Sequence, residues 1–304
     1  MEGGNAAVRN TAFDLRRESG KMICQIRDIP VYYEENGEGM PVLCIHGYSV
    51  DHHLMSGCME PVFANVRGYR RIYLDLPGMG RTPSAKWIKS GDNMLDVLKE
   101  FIAAVIPDGW FLVAGESYGG YLTLGLLHDM SDRIGGALFI CPLLKSWVIN
   151  SIEKEKLPRK QLLWKSDDMP SEDCDPDVKG FMDFAVIATP ELLCMTKEQV
   201  LVGIKAADNE FLYNYLDGAY NHEYEAGLRV MEYEKPTCIL TGRQDHAVGY
   251  EDAYAMLSRF PRATFAVLDC AGHNLQIDNE PVFYQMVKDW LKRVELNNMM
   301  YMYD

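Results

Sequence analysis

The chain contains 304 residues, of which 48% are hydrophobic and 24% are charged, so the composition is that of an ordinary globular protein rather than a disordered or fibrous one. Its formal net charge is −14, which disfavours binding to nucleic acid and to anionic membrane surfaces. No apolar segment approaches the roughly 20 residues that a transmembrane helix needs, and residues 1–20 lack the apolar stretch of a secretory signal. We therefore expect a soluble, cytoplasmic protein.

The eight cysteines form neither a metal-binding pattern nor a disulfide framework. No CxxC motif and no cluster with histidine is present, so zinc and iron–sulfur sites lack a set of ligands. Cys44, Cys141, Cys238 and Cys270 each lie in an apolar run that predicts a buried strand, where a thiol behaves as a small hydrophobic side chain. We expect reduced thiols and no bound metal.

The first half of the chain opens with a weakly patterned segment and then becomes strand-rich. Residues 1–21 show no clear periodicity and predict a loose extension or a short helix. From Met22, two strand-like runs separated by Ile29-Pro30 predict an antiparallel pair. Further short apolar runs begin at residues 42, 70, 111, 136, 237 and 264, and each ends in a polar or glycine-rich turn. Runs that are apolar without alternation are typical of a parallel sheet covered by helices on both faces.

Helical spacing of apolar residues recurs between these runs, at residues 93–106, 118–130, 253–260 and 281–294. Alternation of strands and helices predicts a doubly wound α/β fold with a mostly parallel, eight-stranded sheet.

One long segment, residues 145–232, breaks this alternation. It contains no convincing strand and carries 10 basic and 17 acidic residues. We expect it to form a helical cap over the carboxyl edge of the sheet, where open α/β sheets bind ligands. The predicted organisation is an N-terminal extension (1–21), a first core part (22–144), the cap (145–232), a second core part (233–296) and a C-terminal tail (297–304).

The strongest functional signal is the sequence Gly115-Glu116-Ser117-Tyr118-Gly119, which follows a predicted strand and precedes a predicted helix. In this context a G-x-S-x-G motif forms a sharp turn that projects the serine hydroxyl above the sheet, beside the positive end of the helix. The turn brings neighbouring segments of the chain close together, so residues without a Cβ atom are needed two positions away on each side. We expect Ser117 to act as a nucleophile.

A serine nucleophile needs a general base and an orienting carboxylate, which follow it in the chain order serine, acid, histidine. Of the seven histidines, His273 stands in a loop directly after the last predicted strand, from which its ring can reach Ser117. Asp245 emerges at the carboxyl end of the preceding strand and is the preferred acid. Asp269 and Asp278, nearer to the histidine in sequence, are the alternatives.

The charge that develops on the substrate oxygen needs two preset hydrogen-bond donors. The backbone N–H of Tyr118, directly after the serine, is one candidate. The turn His46-Gly47-Tyr48-Ser49 supplies the second, with the amide of Tyr48 preferred and that of Ser49 as the alternative.

Several of these motifs together resemble those that mark the alpha/beta-hydrolase superfamily: HGYS (46–49), DLPGMGRT (75–82), GESYGG (115–120), Asp245 and His273. The resemblance spans about residues 22–294 and is specific for the superfamily, but not for a substrate. It implies that Ser117 is the nucleophile, Asp245 the acid and His273 the base, with Tyr48 and Tyr118 as the oxyanion-hole amides. It also implies a helical cap at 145–232 and a structural part for the loop at 75–82. The HGYS sequence departs from the HGGPG of proline iminopeptidases, which disfavours that subgroup.

The sequence thus predicts a serine hydrolase that forms a covalent acyl-enzyme with a small acyl substrate, a carboxylic ester being favoured. Acyltransferases, amidases or peptidases and C–C bond hydrolases use the same triad, and these alternatives stay open. A non-catalytic small-molecule receptor on the same scaffold is the alternative of another class, although a receptor does not require an intact triad.

No cofactor is expected. The acidic run from Asp173 to Asp177 is spaced like a calcium loop, but Val178 and Phe184 replace its glycine and its final glutamate, and no G-x-G-x-x-G fingerprint is present. The sequence leaves open whether the chain forms a homo-oligomer. It also leaves open which aromatic side chains of the cap line a pocket, among Trp147, Trp164, Phe181, Phe184, Tyr213 and Tyr220.

Overall fold

The computed structural model describes residues 15–18, 21–144, 157–173, 175–219 and 232–301. The strands in these ranges are β1 (Leu15–Glu18), β2 (Lys21–Ile26), β3 (Ile29–Asn36), β4 (Met40–Ile45), β5 (Tyr69–Leu74), β6 (Phe111–Glu116), β7 (Ile134–Ile140), β8 (Trp164–Lys165), β9 (Ile187–Ala188), β10 (Thr237–Gly242) and β11 (Ala263–Leu268). The α-helices are α1 (His52–Phe63), α2 (Gly91–Val105), α3 (Tyr118–Met130), α4 (Pro176–Phe184), α5 (Pro190–Thr196), α6 (Val202–Ala206), α7 (Asn209–Ala219), α8 (Glu251–Ala255), α9 (Leu275–Asp278) and α10 (Glu280–Tyr301).

Nine of the strands form one sheet with the order β1-β2-β3-β5-β4-β6-β7-β10-β11. Neighbouring strands from β5 to β11 in this order run parallel, whereas β1, β2 and β3 form an antiparallel edge. The predicted fold class is confirmed. The sheet has one strand more than the predicted eight, because Leu15–Glu18, expected to be a loose extension or a short helix, pairs with β2.

Helices cover both faces of the sheet, which explains why its central strands are apolar without alternation. In β4, Leu43 and Ile45 belong to the buried cluster that includes side chains of α2 and α3. Val42 and Cys44, on the opposite face, belong to the cluster that includes side chains of α1 and α10. A buried apolar layer therefore packs on each face of the sheet. The ends of the strands are not covered by these layers, and the site lies there.

Four further details of the core differ from the sequence-based expectations. Helix α1 was not among the predicted helices. The predicted tail at 297–304 continues α10 as far as Tyr301, since the side chain of Asn297 is buried and accepts a hydrogen bond from Arg262. Cys270 is half-buried and lies beyond the end of β11, not inside a strand. Cys141 is buried as expected but directly follows β7.

The described part of the cap segment is mainly helical, as predicted, and comprises α4 to α7 with a π-helical turn at Lys197–Leu201. It also contains a two-residue parallel pairing of β8 with β9, which the sequence analysis did not predict. Residues 145–156, 174 and 220–231 lie outside the described residues, so the boundaries of the cap stay predictions. Among the described helices, none has the length and apolar character that a membrane crossing requires.

The parallel strands bring four loops to one edge of the sheet. The turn at 46–49 follows β4, Ser117 follows β6, the Asp245 loop follows β10 and the His273 loop follows β11. Because the carboxyl ends of parallel strands share an edge, residues far apart in the chain become neighbours there.

Candidate active site

Ser117 occupies a strained turn between β6 and α3. Its φ angle is +49° and its ψ angle is −112°, a conformation that residues other than glycine rarely adopt. A Cβ atom on Gly119 would lie 2.1 Å from the carbonyl oxygen of Ile45, and one on Gly115 would lie 2.4 Å from that of Gly119. Both glycines are therefore required by close backbone approach, as predicted.

The structure brings Ser117, His273 and Asp245 into one hydrogen-bonded row. Nε2 of His273 lies 3.0 Å from Oγ of Ser117, and its Nδ1 lies 3.0 Å from Oδ2 of Asp245. The other carboxyl oxygen of Asp245 accepts hydrogen bonds from the backbone N–H groups of Ala247 (2.9 Å) and Val248 (3.1 Å). The aspartate is fully buried, so these contacts hold its carboxylate and aim one oxygen at the imidazole.

The two alternative acids make other contacts. Asp269 accepts a hydrogen bond from the side chain of Gln244 at 2.8 Å. Asp278 accepts one from the backbone N–H of Gly272 at 2.7 Å, which supports the loop that carries His273. Asp245 is the carboxylate that contacts the imidazole on its Nδ1 side.

The charges of the site shift the pKa values of its members. Burial alone would lower the pKa of His273, but the negative charge and the hydrogen bond of Asp245, with further contributions from Glu116 and Asp278, raise it to about 9. Burial alone would raise the pKa of Asp245, yet the charge of His273, its hydrogen bond and the two backbone amides hold that pKa below its usual value. The pair is thus an ionised aspartate beside a strongly basic imidazole.

The turn at 46–49 lies against the serine. A Cβ atom on Gly47 would lie 3.2 Å from Cβ of Ser117 and 2.1 Å from Oε2 of Glu116, so a side chain there would displace the Glu116 carboxyl group. The Tyr48 hydroxyl donates to the carbonyl of Leu212 in α7, and its ring packs edge-on against the ring of Tyr118 with centroids 5.9 Å apart. Tyr48 is thereby anchored to the cap, and Tyr118 begins α3 directly after the serine; the role of their amides stays a prediction.

The loop at 75–82 has the structural part that the resemblance implies. One carboxyl oxygen of Asp75 accepts hydrogen bonds from the backbone N–H and from Nδ1 of His52, both at 2.8 Å. Its other oxygen accepts one from the backbone N–H of Arg81 at 2.8 Å. Asp75 is fully buried and lines no part of the cavity at Ser117, so it stabilises the fold.

A cavity of about 400 Å³ opens above Ser117 and His273, between the sheet edge and the cap. Its size falls in the range of about 300–1,000 Å³ that small-molecule sites occupy. The walls are mainly apolar and come from α1, α4 and the π-helical turn with α6: Leu54, Phe184, Val200, Leu201 and Ile204. The polar side chains at the wall include Asp177 and Lys205, which pair with each other at 2.7 Å, and Asp183.

Of the cap aromatics, Phe184 lines the cavity, and its ring centroid lies 6.4 Å from that of His273 and 5.4 Å from that of His246. Phe181 is buried inside the cap, whereas Trp164 and Tyr213 are exposed. Trp147 and Tyr220 lie outside the described residues.

One residue of the site was missed in the sequence analysis. Glu116, directly before the serine, is buried, lines the cavity and places Oε1 at 3.6 Å from Nε2 of His273. The motif leaves its second position unspecified, so the sequence does not show that this side chain faces the imidazole. Burial is the main cause that raises the pKa of Glu116, to about 7.

Two groups in the described part of the chain bring metal-ligating atoms within 4.8 Å of one another: Asp51, His52 and His53, and Cys141, Asp245 and His273. In both groups the ring nitrogens already bond to carboxylates. Burial also raises the pKa of the Cys141 thiol well above its usual value, which makes it a poor ligand.

Residues 40–280 match the family model described as alpha/beta hydrolase fold. The chain therefore belongs to the alpha/beta hydrolase family, and the resemblance stated on its motifs is confirmed.

Two curated proteins with sequence similarity to this chain have named activities. The chain is 33% identical over 105 residues to a pimeloyl-[acyl-carrier protein] methyl ester esterase of Legionella pneumophila, a match that covers 34% of this chain and 38% of that protein. It is 24% identical over 278 residues to a 2-hydroxy-6-oxononadienedioate/2-hydroxy-6-oxononatrienedioate hydrolase of Paraburkholderia phymatum, covering 87% of this chain and 91% of that protein. The names of both relatives describe hydrolytic enzymes.

Solved structures agree with the family. An alpha/beta superfamily hydrolase from Oenococcus oeni superposes with a TM-score of 0.80 at 27% identity, covering 87% of this chain and 96% of that chain. A thermophilic esterase from Thermogutta terrifontis superposes with a TM-score of 0.64 at 20% identity, covering 90% and 98% of the two chains, and this similarity supports the fold alone.

Proposed function

We propose that this protein is a serine hydrolase that cleaves small carboxylic esters through a covalent acyl-enzyme, with Ser117, His273 and Asp245 as its triad. The observation that carries the proposal is the position of one imidazole, 3.0 Å from the serine hydroxyl on one side and 3.0 Å from a buried carboxylate on the other. This is the geometry that converts a weakly nucleophilic hydroxyl into a reactive one.

In the first half of the reaction, Oγ of Ser117 bonds to the ester carbonyl carbon while its proton passes to Nε2 of His273. Asp245 keeps the other ring nitrogen protonated and stabilises the imidazolium that forms. The carbonyl oxygen becomes an oxyanion, to which the amides of Tyr48 and Tyr118 donate in this proposal. The imidazolium then gives its proton to the departing alkoxide, which leaves an acyl group on the serine.

In the second half, His273 accepts a proton from a water molecule as its oxygen attacks the acyl carbon. The oxyanion forms again, and the imidazolium returns the proton to Oγ of Ser117 as the acid is released. The negative charges around His273 raise its pKa, so the neutral imidazole that accepts the serine proton becomes more abundant as the pH rises. We therefore expect kcat/KM to rise as the pH increases toward 9.

The cavity supports a small, mainly uncharged substrate. Its walls are chiefly apolar, and the cation at the wall, Lys205, already pairs with Asp177. Glu116 and Asp183 add negative charge, so a substrate rich in carboxylates meets repulsion.

Cleavage of a 2-hydroxy-6-oxodienoate is the second candidate. It is favoured by the relative from Paraburkholderia phymatum, whose match extends over 91% of that protein. The dicarboxylate in that relative's name fits the acidic walls poorly, which is why the ester is preferred here.

A panel of p-nitrophenyl esters from acetate to octanoate, with a 2-hydroxy-6-oxodienoate beside it, tests the proposal. We expect wild-type protein to hydrolyse the short esters and Ser117→Ala to lose several orders of magnitude in kcat/KM. Faster turnover of the dienoate than of every ester would favour the second candidate. Folded wild-type protein that is no faster than Ser117→Ala on all substrates would contradict both.

A further inference from the structure

Glu116 is a buried carboxyl group inside the site that the triad mechanism does not use. It is the last residue of β6 and directly precedes Ser117, and only 3% of its surface is exposed. A buried carboxylate is costly unless a positive charge or hydrogen-bond donors compensate it. Its contacts therefore show what keeps it there.

The two oxygens of the Glu116 carboxyl face different parts of the site. Oε1 lies 3.6 Å from Nε2 of His273, the nitrogen that also contacts Ser117. Oε2 packs against Gly47, at a distance that leaves no room for a Cβ atom there, and the backbone N–H of Gly47 donates a hydrogen bond to the carboxyl. The side chain of Glu116 thus contacts both the turn at 46–49 and His273.

Other charged groups around this contact are few. His273 faces Asp245 after β10, Asp278 in α9 and His246, in addition to Glu116. Glu116 faces the carboxylate of Asp245, which raises its pKa, and the thiols of Cys58 in α1 and Cys141 after β7, whose own raised pKa values keep them neutral. His273 is accordingly the positive partner of the Glu116 carboxylate.

We propose that Glu116 is a positioning residue that ties the turn at 46–49 to His273 and stabilises the imidazolium from the side of the serine. This inference rests on the proposed function, because it assigns a part in the same reaction. Before the reaction, the Glu116 carboxylate favours the protonated form of His273, so a higher pH is needed to free Nε2 as the base. In the transition state, the same carboxylate stabilises the imidazolium that forms. Glu116 would then set the pH range of catalysis as well as its rate.

The variant Glu116→Gln separates these effects from packing. Glutamine has nearly the same shape and can still accept the hydrogen bond from Gly47, but it has no charge. Removal of a charge at this distance lowers the pKa of a histidine by about one unit or more. We expect the acidic limb of the kcat/KM profile to move to lower pH by about that amount, and the plateau to fall by about two- to tenfold.

Asp183→Asn is the matched control, because Asp183 also lines the cavity but is exposed and pairs with Lys160 at 3.6 Å. Its acidic limb should coincide with that of wild type. Thermal unfolding of both variants verifies that they fold. A Glu116→Gln profile with a lower plateau and an unmoved acidic limb would overturn the proposal, since a purely structural role predicts that result.

An NMR titration of the His273 ring, assigned by comparison with His273→Gln, tests the same proposal without turnover. In wild type we expect the ring signals to report the ionisation of both Glu116 and Asp278, whose pKa values are each raised to about 7, and in Glu116→Gln we expect the Glu116 contribution to be lost while that of Asp278 remains. His273 titration curves that are identical in both proteins would overturn the proposal. Because this readout needs no substrate, it distinguishes failure of the inference from failure of the proposed esterase activity.

Discussion

Replacement of Gly119 by alanine tests the close packing on which the serine turn depends. A Cβ atom at this position would lie 2.1 Å from the carbonyl oxygen of Ile45 and 2.7 Å from that of His46, whereas ordinary contacts begin at 3.4 Å. Both oxygens belong to the backbone at the end of β4, so they cannot swing aside as a flexible side chain can. Overpacking of a rigid site costs about 1–3 kcal/mol and occasionally more, and two backbone clashes place this variant at about 3 kcal/mol or above.

Urea unfolding followed by circular dichroism measures this loss. The control is Gly180→Ala in α4, where an added Cβ would meet only a methyl group of Leu201, at 3.4 Å. Alanine favours a helix over glycine by about 1 kcal/mol, so we expect the control to be neutral or more stable than wild type. If the free energy of unfolding of Gly119→Ala lies within about 0.5 kcal/mol of the wild-type value, the steric reasoning is refuted.

Asp245→Asn should lower kcat/KM for ester hydrolysis by about three to four orders of magnitude, because an amide does not hold His273 in the required tautomer; a loss below about tenfold in steady-state assays would contradict this. Asp75→Ala should destabilise the fold by about 3 kcal/mol or more, since it leaves three hydrogen-bond donors, two of them buried, without an acceptor, and urea unfolding at wild-type stability would exclude this. The free energy of unfolding should fall as the pH rises from about 6 to about 9. Over that range the folded state holds more protons than the unfolded state, because the folded pKa of His273 is raised to about 9 and that of Glu116 to about 7. Urea unfolding midpoints that increase with pH over this range would contradict the prediction.

The sheet was predictable because its central strands are short apolar runs ending in turns, a pattern that burial on both faces produces directly. Helix α1 escaped prediction because it begins with two histidines and contains Pro61, which obscure its apolar face. Strand β1 is short and charged, and pairing with β2 rather than its own pattern makes it a strand. Tertiary context decides such segments, which a local pattern cannot capture.

The members of the candidate triad were predictable from chain order and from their positions at strand ends. The choice of Asp245 over Asp269 and Asp278 also follows from topology, since β10 lies beside both β7 and β11 in the sheet. Glu116 was not predictable, because the motif allows any residue there and only the side-chain direction brings its carboxyl to His273. The spacing of residues along the chain does not determine the distances between side chains that come from different strands.

Covalent labelling with a fluorophosphonate, followed by mass mapping of the modified peptide, tests the central claim most directly. The probe reacts with a serine hydroxyl that a neighbouring base activates, whatever the natural substrate is. We expect one label on Ser117 in wild-type protein and its loss in folded His273→Ala. Folded wild-type protein that remains unlabelled at Ser117, or labelling that persists unchanged in His273→Ala, would contradict the account.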